Sequence, residues 1–170
     1  MNTLYIVIDM QKDFVTGPLG TQEARNIVPK IKEKLEAVIK ESDVVFTMDT
    51  HFKDYAQTLE GYMLPIPHCI EYTDGWQVVD ELDEYNKIMP FRKHTFGSME
   101  LADYVTQRAY DKIVLMGVCT DICVVSNALL LRAALPNTPI YVYKDCCAGT
   151  TPDAHEAALK VMKSCQIVVE

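Results

Sequence analysis

The sequence predicts an α/β fold: a doubly wound, mostly parallel six-stranded sheet with helices on both faces, in a Rossmann-like three-layer arrangement. Two observations predict it. Strand-like and helix-like segments alternate along the chain. The strand-like segments are also continuous apolar runs, as expected of parallel strands covered on both sides. At 170 residues the chain fits one domain, 1–170, large enough to bury a substantial core.

The elements follow in order. Leu4 to Asp9 is an apolar run ending in an acid, followed by a polar loop around Gly17 and Gly20. Ala24 to Glu41 has helical spacing, with Ile27, Ile31, Leu35 and Ile39 four apart on one face. Asp43 to Asp49 reads as a second strand. Residues 50–76 carry Gly61, Pro65, Pro67 and Gly75 with little periodicity and read as a long loop, a length that compact domains usually reserve for function. Asn86 to Phe91 is read as a third strand and Ser98 to Gln107 as a helix. Lys112 to Val118 is a buried-strand run, after which Thr120 or Asp121 is expected to cap a helix to about Leu135. Ile140 to Lys144 is a fifth strand, Pro152 opens a last helix, and Gln166 to Val169 closes the sheet.

Composition excludes several classes. About half the residues are hydrophobic (49%) and 24% are charged, as in globular proteins, and the net charge of -8 leaves no basic surplus for nucleic acid. The N-terminus lacks the basic leader of a signal peptide, and no run approaches the roughly 18 apolar residues of a membrane span. A cytoplasmic protein with no membrane and no nucleic-acid partner is expected. In that setting the six cysteines, at 69, 119, 123, 146, 147 and 165, are read as free thiols.

Ligands of open parallel sheets bind beyond the carboxyl ends of the strands, where strand order reverses. The polar residues there are Asp9, Asp49, His51, the Lys93 region and Cys119 to Cys123. Cys123 falls in the first turn of the predicted helix, where the helix dipole and free N–H groups favour a thiolate and can hold an oxyanion. Cys119 competes with it at the strand end, and either cysteine could equally be a small buried hydrophobe. Asp9 is placed to take a thiol proton, because a first strand neighbours the fourth in a doubly wound sheet. Lys93 can supply a cation, with Arg92 as local rival. Taken singly, Asp9 is also a common loop cap and Lys93 a common surface lysine.

A second constellation is metal-like. Asp49 and His51 flank one residue at a strand end, so their side chains point the same way. The long loop adds Glu60 and His68. Two imidazoles and two carboxylates suit zinc, iron or manganese. His94 and His155 are set aside, and Glu60 is the ligand most easily read as a solvated acid instead.

These motifs together resemble the isochorismatase-like cysteine hydrolases, and nicotinamidases in particular. The resemblance runs through Ile8-Asp-Met-Gln-Lys-Asp-Phe14, Asp49-Thr-His51, Pro65-Ile-Pro-His-Cys69 with Thr73-Asp-Gly75, Lys93-His-Thr-Phe96-Gly-Ser98 and Gly117-Val-Cys-Thr-Asp-Ile-Cys123-Val. It implies an Asp9–Lys93–Cys123 triad and an oxyanion hole from the N–H groups of Cys119 and Cys123. It further implies a cis peptide between Val118 and Cys119. Asp49, His51, Glu60 and His68 would bind a divalent metal, zinc by preference, that anchors a pyridine nitrogen. The implied substrate is a small amide, hydrolysed through a thioester by what resemblance suggests is a homo-oligomer.

Two positions depart from the pattern. Tyr72 replaces a glycine, and Pro65 stands where nicotinamidases often carry an aromatic that stacks on the pyridine; Phe14, Phe96 and Trp76 are the stacking candidates left. Rival readings are an amidase of carbamoyl or ureido groups, a metal-hydroxide hydrolase that leaves Cys123 idle, a non-catalytic binding domain, and a Cys119–Cys123 redox pair. Isochorismatase activity itself is disfavoured, since it is not expected to need a nucleophilic cysteine.

Overall fold

The computed structural model describes residues 2–170. Its six strands are β1 (Thr3–Ile8), β2 (Asp43–Asp49), β3 (Phe91–Lys93), β4 (Lys112–Val118), β5 (Ile140–Ala148) and β6 (Val168–Val169). They form one sheet in the order β3-β2-β1-β4-β5-β6, and every pairing is parallel. The helices are α1 (Lys12–Val15), α2 (Gln22–Val38), α3 (Leu59–Met63), α4 (Asp80–Asp83), α5 (Met99–Thr106), α6 (Val125–Ala134) and α7 (Pro152–Ser164).

Successive side chains of a strand point to opposite faces, so a strand that is apolar throughout must be covered twice. β1 is buried at all six positions. Tyr5 and Val7 join Phe46, Val114 and Met116 under Ile27, Ile31 and Leu35 of α2. Leu4, Ile6 and Ile8 join Val45 and Leu115 on the other face, under α5, α6 and α7. The four-residue spacing read in α2 is the stripe that packs on the sheet. Among the described residues no helix is long and apolar enough to cross a membrane.

Several boundaries differ from the sequence expectation. The third strand is Phe91–Lys93, not Asn86–Phe91. Pro90 has no N–H for a ladder, and pairing with β2 begins only after it, with Thr47 opposite Phe91 and Asp49 opposite Lys93. Lys93 is therefore a strand residue, buried like Phe91 two positions before it. The segment 50–76 is not bare loop: it holds a 3₁₀ turn at Tyr55–Gln57 and then α3. Neither Thr120 nor Asp121 caps the helix after β4. Cys119 occupies the cap without a side-chain bond, and Thr120–Val124 form a π-helical turn ahead of α6. β5 runs on to Ala148 through an irregularity between Leu115 and Gly117 of its partner, while the sixth strand shortens to Val168–Val169.

Two local devices shape the carboxyl end of the sheet. Gly117 sits opposite Ile8 at φ +123°, and a Cβ there would collide with the Ile8 backbone. Beyond Ile8, the fully buried Gln11 side chain continues the contact with β2. Its Oε1 accepts from Asp49 N (2.8 Å), and its Nε2 donates to Asp49 O (2.8 Å) and Trp76 O (2.8 Å).

Gln11→Leu removes the partner of three buried backbone groups at about 1 kcal/mol or more each. It should lower unfolding free energy in urea by about 3 kcal/mol without changing the slope. A loss below about 1 kcal/mol would mean that other groups serve those atoms.

Candidate functional site

β1 and β4 are neighbours, but the chain leaves β1 toward α2 on one face and leaves β4 toward α6 on the other. This is the switch point of the sheet, where two diverging connections open a crevice. Asp9 immediately follows β1 and has φ +50°. Asp49 ends β2, Lys93 ends β3, and Cys119 follows β4 across a cis Val118–Cys119 peptide.

Asp9, Lys93 and Cys123 are brought together and buried. Lys93 Nζ lies 2.5 Å from Asp9 Oδ2, 3.4 Å from Cys123 Sγ and 3.6 Å from Asp49 Oδ1. It also donates to Thr95 O at 3.2 Å. Asp9 Oδ1 accepts from the Thr47 hydroxyl at 2.6 Å, and Asp9 N reaches the same hydroxyl oxygen at 3.2 Å. Lys93 and Asp9 thus form a buried ion pair through Oδ2. Arg92, the rival cation, points away: it pairs with Glu71 at 2.7 Å and lies over the Trp76 ring.

The protonation states follow from burial and charge. Burial opposes the Lys93 charge, but Asp9, Cys123 and Asp49 outweigh it and hold the ammonium well above its ordinary pKa. Burial raises Asp9, against the pull of Lys93, and the Asp49 charge adds to the rise. Burial and then the Asp9 charge push the Cys123 thiol far up, with Lys93 opposing. Desolvation therefore opposes the helix-end field that favours a thiolate at this sulfur. Burial likewise raises Cys119, to about 12.

Asp49, His51, Glu60 and His68 also converge, with one donor atom from each lying within 4.8 Å of the others. His51 Nε2 is 2.9 Å from Asp49 Oδ2 and 3.5 Å from Glu60 Oε1; His68 Nε2 is 3.4 and 3.6 Å from the same atoms. Burial works against protonating His51, yet Asp49 and Glu60 raise it to about 9. Burial raises Asp49, but the two imidazoles and Lys93 lower it overall. The chemistry and the aim of the donors fit a divalent cation. The set offers two nitrogens and two carboxylates within 4.8 Å of one another; both imidazoles aim Nε2 at Asp49 Oδ2 and Glu60 Oε1; and His68 Nδ1 bonds Ile66 O at 2.8 Å, which turns Nε2 toward the cluster.

A cavity of about 320 Å³ joins the two constellations. Cys119 and Cys123 line one side, Asp49, Glu60 and His68 another, and Phe14, Leu64, Phe96 and Ile122 the walls. Phe14 also packs against the His68 ring at 5.4 Å between centroids. Trp76, the third stacking candidate, is not on the cavity. Its ring is buried beside Tyr72 and its Nε1 donates to Thr50 Oγ1 at 2.9 Å, so it packs the loop.

Two supporting residues, Thr47 and Asn127, escaped the sequence reading, and Asp121, read as a helix cap, has another role. Thr47 holds Asp9; its signal was a hydroxyl on an apolar strand, two residues before Asp49 and so on the same face. Asn127, four residues after Cys123 in an apolar helix, donates to Cys123 O (2.8 Å) and Phe96 O (3.1 Å) and accepts from Ser98 N (2.9 Å). Asp121 binds Thr150 N and Oγ1 at 2.8 and 2.6 Å, tying the π turn to the segment before α7. These last two pairings join distant segments and leave no local pattern.

The family model described as the isochorismatase domain matches residues 3–170. A crystal structure of nicotinamidase/pyrazinamidase PncA from Bacillus subtilis is 27% identical, superposes with a TM-score of 0.87 and is covered over 99% of both chains. A crystal structure of pyrazinamidase of Pyrococcus horikoshii in complex with zinc is also 27% identical, with a TM-score of 0.85 over 100% of this chain and 99% of that one. A probable inactive nicotinamidase from Arabidopsis thaliana is 28% identical over 96% of this chain and 89% of its own. On the match of nearly its whole length, and on a six-stranded parallel sheet shared with such structures, the chain belongs to the isochorismatase family.

Proposed function

We propose that the protein is a cysteine-dependent amidohydrolase that converts nicotinamide and water to nicotinic acid and ammonia. The observation that carries this reading is the buried contact of Lys93 with both Asp9 and Cys123, the last of which lines a cavity that also meets Asp49, Glu60 and His68 of the second cluster. Similarity to nicotinamidases and pyrazinamidases supports the substrate, while the relative described as inactive shows that likeness alone does not carry activity.

In this reading Asp9 takes the Cys123 proton as the sulfur attacks the amide carbonyl, and Lys93 steadies the developing thiolate. The N–H groups of Cys119 and Cys123 hold the oxyanion. Asp9 returns the proton to the departing nitrogen, which leaves as ammonia, and an acyl thioester stays on Cys123. Asp9 then deprotonates a water that attacks the thioester, releasing the acid and restoring the thiol. Asp49, His51, Glu60 and His68 would hold a divalent cation; the donor set suits zinc, iron or manganese alike. Such a cation supplies a Lewis acid for the pyridine nitrogen and so anchors the ring. Phe14 and Phe96 flank that ring, and Trp76 acts only by packing the loop.

Ammonia release from nicotinamide by metal-loaded protein should fall on the order of 10⁴-fold in Cys123→Ala. Chelation should act mainly by raising KM. Activity retained in Cys123→Ala would replace this mechanism with a metal-hydroxide hydrolase. No turnover by the loaded wild type would remove nicotinamide and move the search to carbamoyl and ureido amides.

The pH dependence has a defined sign. Asp9 must be ionised to accept the thiol proton, and its burial raises its pKa. Activity is therefore lost as pH falls through a value above the ordinary carboxylate range. Thr47→Val removes a hydrogen bond to the ionised form and should move the acid limb of kcat/KM upward, with Thr47→Ser restoring it. An unmoved limb would show that another group governs it.

A further inference from the structure

Three of the four donors in the metal-like cluster lean on one residue to which the proposed reaction gives no role. Tyr55 lies in the 3₁₀ turn, four residues after His51, and is 2% exposed. Its ring stands edge-on to His51 at 4.8 Å between centroids and 67°, and to His68 at 5.2 Å and 74°. The two imidazoles are themselves 4.8 Å apart at 73°. The three rings thus form a closed triangle, and the plane of each imidazole is set in part by packing on the tyrosine. The same residue fastens the segment that delivers Glu60. Its hydroxyl donates to Leu64 O at 2.8 Å, just past the end of α3. Its carbonyl accepts from the Thr58 hydroxyl at 2.7 Å, and that hydroxyl in turn accepts from Gly61 N at 3.0 Å and caps α3. Gly61 packs so closely that a Cβ would collide with the Tyr55 carbonyl. A helix of five residues whose Leu59, Tyr62 and Met63 are exposed has little else to hold it.

We propose that Tyr55 is the positioning residue of this cluster: its ring sets the planes of His51 and His68, and its hydroxyl and carbonyl set the reach of Glu60. The inference rests on the divalent-cation reading of Asp49, His51, Glu60 and His68. It divides the work of one side chain in two. The ring acts through the imidazoles, and the hydroxyl acts through α3 and so through Glu60. Groups that orient ligands in this way carry about 10- to 100-fold in cation affinity.

The experiment measures zinc affinity by competition with a chromophoric chelator, and needs no turnover, so it stands whether or not nicotinamide is the substrate. Tyr55→Leu removes ring and hydroxyl together and should weaken zinc about 10- to 100-fold. Tyr55→Phe keeps the ring and should lose less. That smaller loss should vanish in a Glu60→Gln background, because the hydroxyl acts through Glu60, whereas most of the Tyr55→Leu loss should persist there. Met162→Ala opens a cavity in the core under α7, away from the cluster, and should leave zinc affinity near that of wild type. A loss there equal to that of Tyr55→Leu would assign the effect to general destabilisation and overturn the proposal. Zinc bound equally by wild type and both Tyr55 variants overturns the positioning role and leaves the cation site standing. A wild type that binds no zinc refutes the cation reading, and the positioning role with it. If Tyr55→Leu does not fold, the Tyr55→Phe and Glu60→Gln cycle decides alone. A loss that disappears in the Glu60→Gln background supports the proposal; no loss, or one that persists there, overturns it.

Discussion

The rest of the site depends on one buried ammonium. Lys93 is 3% exposed, yet it sits within ion-pair distance of two carboxylates, Asp9 and Asp49, and within contact of the Cys123 sulfur. Charges taken out of water persist only when paired, and removing one partner from such a pair costs about 3–5 kcal/mol. Lys93 is thus both the counter-charge that allows two acids to be buried and the group nearest the thiol. On its other side Asp49 contacts His51 and His68 through Oδ2. Asp49 is the hinge between the constellations: Oδ1 faces Lys93 and Oδ2 faces the imidazoles.

The parallel sheet makes this concentration affordable. Four strands end at one level, and the backbone groups beyond them need partners. Gln11 serves Asp49 and Trp76, Thr47 serves Asp9, and Asn127 serves Cys123 and Ser98. Each supporting bond is buried and joins segments far apart in the chain except for the single helical turn from Cys123 to Asn127. The polar floor is therefore cross-linked by hydrogen bonds, while the outer wall, built from the short α3 and the Phe96 loop, carries exposed apolar side chains.

Much of the fold was legible because period and burial coincide. The run Lys112–Val118 and the stripe Ile27–Ile31–Leu35 each admit one secondary structure and one buried face, and the structure has both. Legibility failed where local signals were weak or cut across the fold. Asn86–Phe91 looked like a strand, but strand formation there depends on pairing with β2 beyond Pro90. Trp76 looked available for stacking because its sequence context is loop, and only the fold shows Thr50 and Gln11 fastening its indole and backbone inside.

By itself the sequence determined the parallel α/β architecture, the strand ends at which Asp9, Asp49 and Cys119 sit, and the pairing of Asp49 with His51 across one residue, because these depend on local period and spacing. Only the tertiary structure decided that Lys93 and not Arg92 meets Asp9 and Cys123, that burial opposes ionisation of the Cys123 thiol, and that Glu60 and His68 close on Asp49. Those outcomes depend on distances between segments tens of residues apart and on the desolvation that their packing imposes, quantities that no local pattern encodes.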